Sequence, residues 1–190
     1  MIETVFLDRD GTINRKAPEG EYVSSVRDFE FLPGAPDAIR MLNAAGMRVI
    51  VVTNQRGVAL GRMSVGELER IHRRMLAELC VAGASVDAVY TCCHDHGCCD
   101  CRKPDVGMFL AAKRDFPEIE FACAAIVGDG EADMEAGARL GLRRLLVDAT
   151  AHATRVDGDL VTTPSLHAAA AFLVSERECA RPLSRDAVRV

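Results

Sequence analysis

Two carboxylates one residue apart, Asp8 and Asp10, stand where the apolar run Val5-Phe6-Leu7 stops and Gly11-Thr12 begins. Such a stretch reads as a buried strand delivering acids into a turn at its carboxyl end, the edge where open α/β sheets bind ligands. Other segments end the same way. Met47 to Val52 runs into Thr53-Asn54-Gln55, Ala124 to Val127 stops at Gly128-Asp129 with Asp133 beyond, and Lys103 follows the loop after Val86 to Tyr90. Phosphoryl transfer needs this set: a carboxylate nucleophile, a second acid for the leaving oxygen, a cation against developing charge and donors to the equatorial oxygens. Singly, Asp129 and Asp133 read as acids at a helix N-terminus and Thr53 as a strand-end cap. Their order, each after an apolar strand, points to chemistry.

A second constellation is Cys92-Cys93-His94-Asp95-His96-Gly97-Cys98-Cys99-Asp100-Cys101, which holds five of the eight cysteines. Clustering of this kind favours a metal over scattered bridges. Residues two apart in an extended strand point the same way, so Cys92 with His94, and Cys99 with Cys101, form two pincers around Gly97. Cys98 with Cys101 is a rival pincer, and Cys93, His96 and Cys98 stand as alternative ligands. Three thiolates and one imidazole suit tetrahedral Zn²⁺ with no open position, a structural site.

The elements that must position these groups alternate. Helices are predicted from Ala35 to Ala45 with Gly46 as C-cap, from Ser64 (a capping box with Glu67) to Ala82, from Val106 to Phe116 after Pro104, from Glu131 to Leu140, and from Ser165 to Val174. Strands precede them and recur from Arg143 to Val147. The pattern predicts a Rossmann-like, doubly wound parallel sheet in three α/β/α layers with right-handed crossovers. Arg15 to Phe31 has no sustained period and reads as a long loop over the site, with at most a short hairpin around Tyr22-Val23. Residues 1–174 are expected to form one domain, with a metal loop at 92–104 and a flexible tail at 175–190.

Composition narrows the classes. A net charge of −5 over 190 residues, with no Trp and two Tyr, argues against a nucleic-acid binder, which needs concentrated cations and stacking platforms. The cluster Arg70, Arg73, Arg74 reads as a solvated helix face, and His72 beside it as solvent-exposed. The N-terminus lacks the pattern of a secretory signal and no apolar run reaches membrane-spanning length, so a cytoplasmic location is expected.

The Asp8-x-Asp10-x-Thr12 string resembles the signature of the haloacid-dehalogenase-like phosphatases. From about residue 3 to 174 the sequence is similar to their histidinol-phosphatase and heptose-bisphosphate phosphatase branch. The carrying residues are Leu7 to Asn14, Tyr22-Val23, Phe31 with Pro33-Gly34, Val52-Thr53-Asn54-Gln55, Cys101-Arg102-Lys103-Pro104, and Val127-Gly128-Asp129 with Asp133-Met134. The resemblance implies a nucleophilic Asp8 that forms an aspartyl-phosphate, and an Asp10 acting as general acid and then base. It implies catalytic Mg²⁺ held by Asp8, the Asp10 carbonyl and Asp129, with Asp133 orienting the shell, and Thr53 and Lys103 holding the phosphoryl group. Structural Zn²⁺ would sit on Cys92, His94, Cys99 and Cys101, the family pattern deciding for Cys99, and this branch has a minimal cap. Substrate contacts map onto Asn54, Gln55, Arg56, Arg102 and Lys103. The wording Thr53-Asn54-Gln55-Arg56-Gly57-Val58-Ala59-Leu60-Gly61 is closer to the heptose type, with Arg56 in place of its Ser and Leu60 in place of its Arg. The expected substrate is a small phosphorylated sugar, heptose 1,7-bisphosphate, handled by a monomer without nucleic-acid or membrane partners. Histidinol phosphate is the alternative, its amine facing Glu19 or Glu21, and a zinc-stabilised binding module a more distant one.

Overall fold

The computed structural model describes residues 1–179. Seven strands form one sheet in the order β3-β2-β1-β4-β5-β7-β6. They are β1 Thr4–Leu7, β2 Arg48–Asn54, β3 Ala88–Cys92, β4 Ala124–Gly128, β5 Arg143–Val147, β6 Arg155–Asp157 and β7 Leu160–Thr163. All neighbours pair parallel except β6, which lies antiparallel on the outer edge of β7. Among the described residues there are five α-helices: α1 Ala35–Ala44, α2 Val65–Val81, α3 Gly107–Asp115, α4 Glu131–Leu140 and α5 Leu166–Cys179. Among the described residues no helix is long and apolar enough to cross a membrane.

Side-chain alternation along the strands divides the core in two. Val5, Leu7, Val49, Val51, Ala125 and Val127 pack with α1, α2 and α5 on one face. Phe6, Ile50, Val52, Ala124 and Ile126 pack with α3 and α4 on the other, where Phe6 and Phe109 meet edge to face at 4.9 Å. The predicted three-layer, doubly wound architecture is therefore present. The strand order turns back between β1 and β4, which places Asp8, Asp10 and Asp129 at the crevice such sheets use for ligands.

Several boundaries differ from expectation. β2 and β3 run two residues past the apolar stretches because Thr53 pairs with Thr91 and Asn54 with Cys92 through backbone bonds that ignore side-chain polarity. α5 continues to Cys179, five residues into the expected tail; the rest of that tail, 180–190, lies outside the described residues. The β6–β7 hairpin was not expected. No hairpin forms at Tyr22-Val23; the loop turns at Pro18–Glu21, makes a short 3₁₀ turn over Val26–Asp28, and buries Val23 and Phe29. The capping box of α2 is half made. Ser64 Oγ accepts from the Glu67 N–H, but the Glu67 carboxylate accepts from the Val26 N–H at 3.1 Å, tying this loop to the helix. Arg74 Nη1 donates to the Val26 carbonyl and its guanidinium lies 5.9 Å from the Phe29 ring centre, so it pins the loop instead of facing only water.

Candidate active site

β1 hands over to the site through backbone bonds. The Asp8 N–H donates to Val127 O at 2.9 Å, and beyond it the N–H groups of Ile13 and Asn14 converge on Arg9 O, at 2.8 and 3.0 Å. This tight turn requires Gly11, which has φ +93° and lies so close to Asp129 that a Cβ would overlap that carboxylate. Gly128 is under the same constraint: its missing Cβ leaves room for the Asp133 side chain. Both glycines thus bring the acids of β4 and α4 up to β1.

Lys103 is the hub. Its ammonium lies 2.6 Å from Asp8 Oδ1, 2.6 Å from Asp133 Oδ1 and donates to Val52 O at 2.6 Å, with only 4% of the residue exposed. Burial opposes the Lys103 charge, yet Asp8 and Asp133 outweigh it and hold its pKa above the ordinary lysine value. For Asp8, burial is the larger influence; with Asp133 adding to it and Lys103 opposing, its pKa rises to about 6. Carboxylate oxygens of Asp8, Asp129 and Asp133 lie within 4.8 Å of one another. Three hard oxygen donors around one space fit a divalent cation such as Mg²⁺. Lys16 reaches in from the covering loop and donates to Asp129 Oδ2 at 2.9 Å. Burial raises the Asp129 pKa, and the Lys16 bond counters it.

Behind these groups is a polar network around Asp10. Arg9 Nη2 donates to both Asp10 oxygens at 2.8 Å, Asn14 Nδ2 to Oδ1 at 2.8 Å and Gln55 Nε2 to Oδ2 at 2.7 Å. Gln55 Nε2 also donates to Thr53 Oγ1 at 2.8 Å. Asp8, Asp10, Thr53, Asn54, Lys103, Asp129, Asp133 and Arg102 line one cavity of about 240 Å³. The eight come from the ends of β1, β2 and β4, the start of α4 and the cysteine loop after β3, as their sequence positions led one to expect. Asn54 has both polar atoms taken by Lys103, its Oδ1 accepting from the N–H and its Nδ2 donating to the carbonyl, each at 3.0 Å. Gln55 is buried toward Asp10 and does not line the cavity. Asn54 thus ties β2 to the Lys103 backbone, and Gln55 ties Thr53 to Asp10, rather than both facing the cavity as expected substrate contacts.

The cysteine loop gathers four ligands. Cys92 Sγ lies 3.7 Å from His94 Nδ1 and 3.6 Å from Cys99 Sγ; Cys101 Sγ lies 3.2 Å from His94 Nδ1 and 3.3 Å from Cys99 Sγ. A tetrahedron with metal–sulfur bonds near 2.3 Å has edges of about 3.8 Å, so the donor set and its size fit zinc with modest widening of the sulfur pairs. Cys98 points to His96 O and Cys93 packs against the core, so neither joins the four. Gly107 closes the loop onto α3, its N–H on Asp100 O at 2.9 Å, where any Cβ would strike that carbonyl. Arg56 donates to Asp95 Oδ1 at 2.6 Å and Arg102 to His96 Nδ1 at 3.3 Å, so both cations brace the loop; Arg102 also lines the cavity, whereas Arg56, expected to contact substrate, does not.

His72 departs from expectation. It is partly buried on α2 with Nε2 3.1 Å from Arg9 Nη1. Burial, reinforced by the Arg9 charge, lowers its pKa to about 4. The signal was in the helix period: His72 lies four residues after Leu68 and three before Met75, at the rim of the buried stripe.

Comparison with known proteins gives a consistent set of likenesses. A family model described as "Polynucleotide kinase 3 phosphatase" matches residues 3–162. The chain is 39% identical over 145 residues to D-glycero-beta-D-manno-heptose-1,7-bisphosphate 7-phosphatase of Escherichia coli O6:H1, covering 72% of this chain and 74% of that one. It is 42% identical over 132 residues to D-glycero-alpha-D-manno-heptose-1,7-bisphosphate 7-phosphatase of Mycobacterium bovis, covering 69% of each. A crystal structure of D,D-heptose 1,7-bisphosphate phosphatase from B. bronchiseptica, complexed with magnesium and phosphate, superposes with a TM-score of 0.82 at 31% identity, covering 92% of this chain and 99% of that one.

Proposed function

The chain belongs to the haloacid-dehalogenase-like phosphatases, in the heptose-bisphosphate phosphatase branch, and on that premise we propose that it removes the C7 phosphate of a D-glycero-D-manno-heptose 1,7-bisphosphate. The observation that carries the reading is Lys103, held 2.6 Å from both Asp8 and Asp133 in the cavity that Asp10 and Thr53 also line. A buried carboxylate facing a buried cation is a nucleophile placed where phosphoryl charge can be matched.

In this reading an Asp8 oxygen attacks phosphorus, the P–O bond to the sugar breaks, and the proton on Asp10 passes to the departing alkoxide. A sugar alcohol leaves poorly, so a positioned acid contributes about a hundredfold or more. Asp10, now a carboxylate, accepts a proton from water whose oxygen attacks phosphorus; the Asp8–phosphorus bond breaks and inorganic phosphate forms. Lys103 and the Thr53 hydroxyl stabilise the transferring oxygens in both halves. Mg²⁺, held by Asp8, the Asp10 carbonyl and Asp129 with Asp133 orienting its shell, would supply neutralisation of the phosphate charge. Zn²⁺ on Cys92, His94, Cys99 and Cys101 would fix the loop that ends in Arg102 and Lys103. Reduced thiolates of this kind suit the cytoplasm.

A bisphosphate needs a cation remote from the reacting centre. Arg102 lines the cavity, whereas Glu19 and Glu21, the acids a histidinol amine would want, do not. The test compares rates on both anomers of heptose 1,7-bisphosphate, histidinol phosphate and a 3′-phosphorylated oligonucleotide. One heptose anomer should exceed the other two classes in kcat/KM by about tenfold or more. Preference for histidinol phosphate or the oligonucleotide would overturn the reading.

A further inference from the structure

Arg9 is entirely buried between β1 and α2, and it is the one cation in direct contact with the Asp10 carboxylate among the described residues. Its three nitrogens divide their work. Nε and Nη2 face Asp10 at 3.2 and 2.8 Å, and Nη2 also reaches Gln55 Oε1 at 3.3 Å. Nη1, on the far side, meets only His72 among the described residues, at 3.1 Å. A guanidinium only donates, so His72 Nε2 must be the unprotonated acceptor and its proton sits on Nδ1. A planar fork held at one end has its other end aimed, and a buried cation with an unmatched N–H would tilt toward another partner.

We propose that His72 is a positioning residue for the acid–base step: by accepting from Arg9 Nη1 it holds the guanidinium square to Asp10, stabilising the carboxylate that forms as the proton leaves for the alkoxide. This rests on Asp10 serving as the acid. His72 touches neither substrate nor phosphorus, and it acts through Arg9 alone. The consequence is a dependence on the leaving group. A displaced acid slows cleavage of an alkyl ester, whose alkoxide must be protonated, and leaves an aryl ester with a weakly basic leaving group much less affected.

The experiment uses magnesium- and zinc-loaded enzyme and measures the first half-reaction as the burst of released alcohol. The substrates are heptose 1,7-bisphosphate (or the alkyl phosphate the wild type turns over fastest) and p-nitrophenyl phosphate. Asp10→Asn serves as reference, and H72L and H72Q are compared with it. H72L should slow the alkyl ester about tenfold or more while changing p-nitrophenyl phosphate by less than about threefold, with KM within about twofold. H72Q, which offers a neutral oxygen to Nη1, should recover most of the alkyl rate. Should H72L not accumulate as folded protein, H72A with and without added imidazole gives the same comparison, with imidazole expected to restore the alkyl rate. Equal loss on both substrates, or an unchanged alkyl rate, overturns the role of His72 if Asp10→Asn itself shows the leaving-group dependence. If Asp10→Asn lacks that dependence, the assignment of Asp10 has failed instead.

Discussion

At the scale of single residues, the site is a set of charges each fixed by an opposite charge or a donor, and the predictions follow from which partner is removed. Asp8→Asn keeps the shape but removes the nucleophile; hydrolysis should fall by about 10⁴-fold or more while the cooperative unfolding transition remains. Retained turnover in that variant would remove Asp8 from the mechanism. Lys16 donates to Oδ2 of Asp129, one of the three carboxylates that could hold a cation. Lys16→Met should therefore tighten Mg²⁺ binding several-fold, about 1 kcal/mol, as read by calorimetry without substrate. Weaker or unchanged binding would show that Lys16 does not compete. His72 gives a pH prediction. Its folded pKa of about 4 lies below the ordinary value of 6.5, so the unfolded chain binds the proton more readily. Stability from a neutral His72 is complete above about pH 6.5 and is lost as pH falls toward 4, on the order of 3 kcal/mol. Asp8, raised by burial, acts in the opposite sense over part of that range. Comparing urea unfolding of wild type and His72→Gln at each pH cancels the Asp8 contribution; parallel curves would contradict the account.

At the scale of elements, the strand ends and the cysteine loop do the positioning. Lys103 follows Cys101 by two residues, and Asn54 on β2 grips its backbone from both sides. Metal-loop order should therefore be felt at the phosphoryl site. Cys99→Ser should release most of the bound zinc and lower kcat by about tenfold or more, with both read on the same preparation. Zinc loss with full activity would separate the loop from catalysis. Legibility differed by element for physical reasons. β1, β2 and β4 are buried on both faces and read as continuous apolar runs, and α2 carries a full stripe, so their existence and type were plain. β6 is exposed throughout and shows no burial pattern, although Gly158-Asp159, the two-residue loop before Leu160-Val161, is a hairpin signal in hindsight. The loop from Arg15 to Phe31 is ordered by long-range bonds to α2, through Glu67 and Arg74, which no local window contains.

At the scale of the whole molecule, the two-sided core holds the crevice between β1 and β4 rigid while side chains from distant positions meet there. Asp8, Asp10, Thr53 and Asp129 were legible because they stand at the ends of apolar strands, Lys103 and Asp133 because they follow the cysteine loop and the fourth strand, and the fold sets all six around one cavity. The contacts of Asn54, Gln55 and His72 with Lys103, Asp10 and Arg9 were not, since an amide or imidazole turned inward looks the same in sequence as one turned outward. Phe109→Ala should cost about 3–5 kcal/mol by removing the partner of Phe6 beneath β1. The central claim is that phosphorus is transferred to Asp8. Denaturing quench during turnover, borohydride reduction and peptide mass mapping should find homoserine at position 8, the product of a reduced acyl phosphate. An unmodified Asp8, or reduction at Asp10 or Asp129 instead, would contradict it.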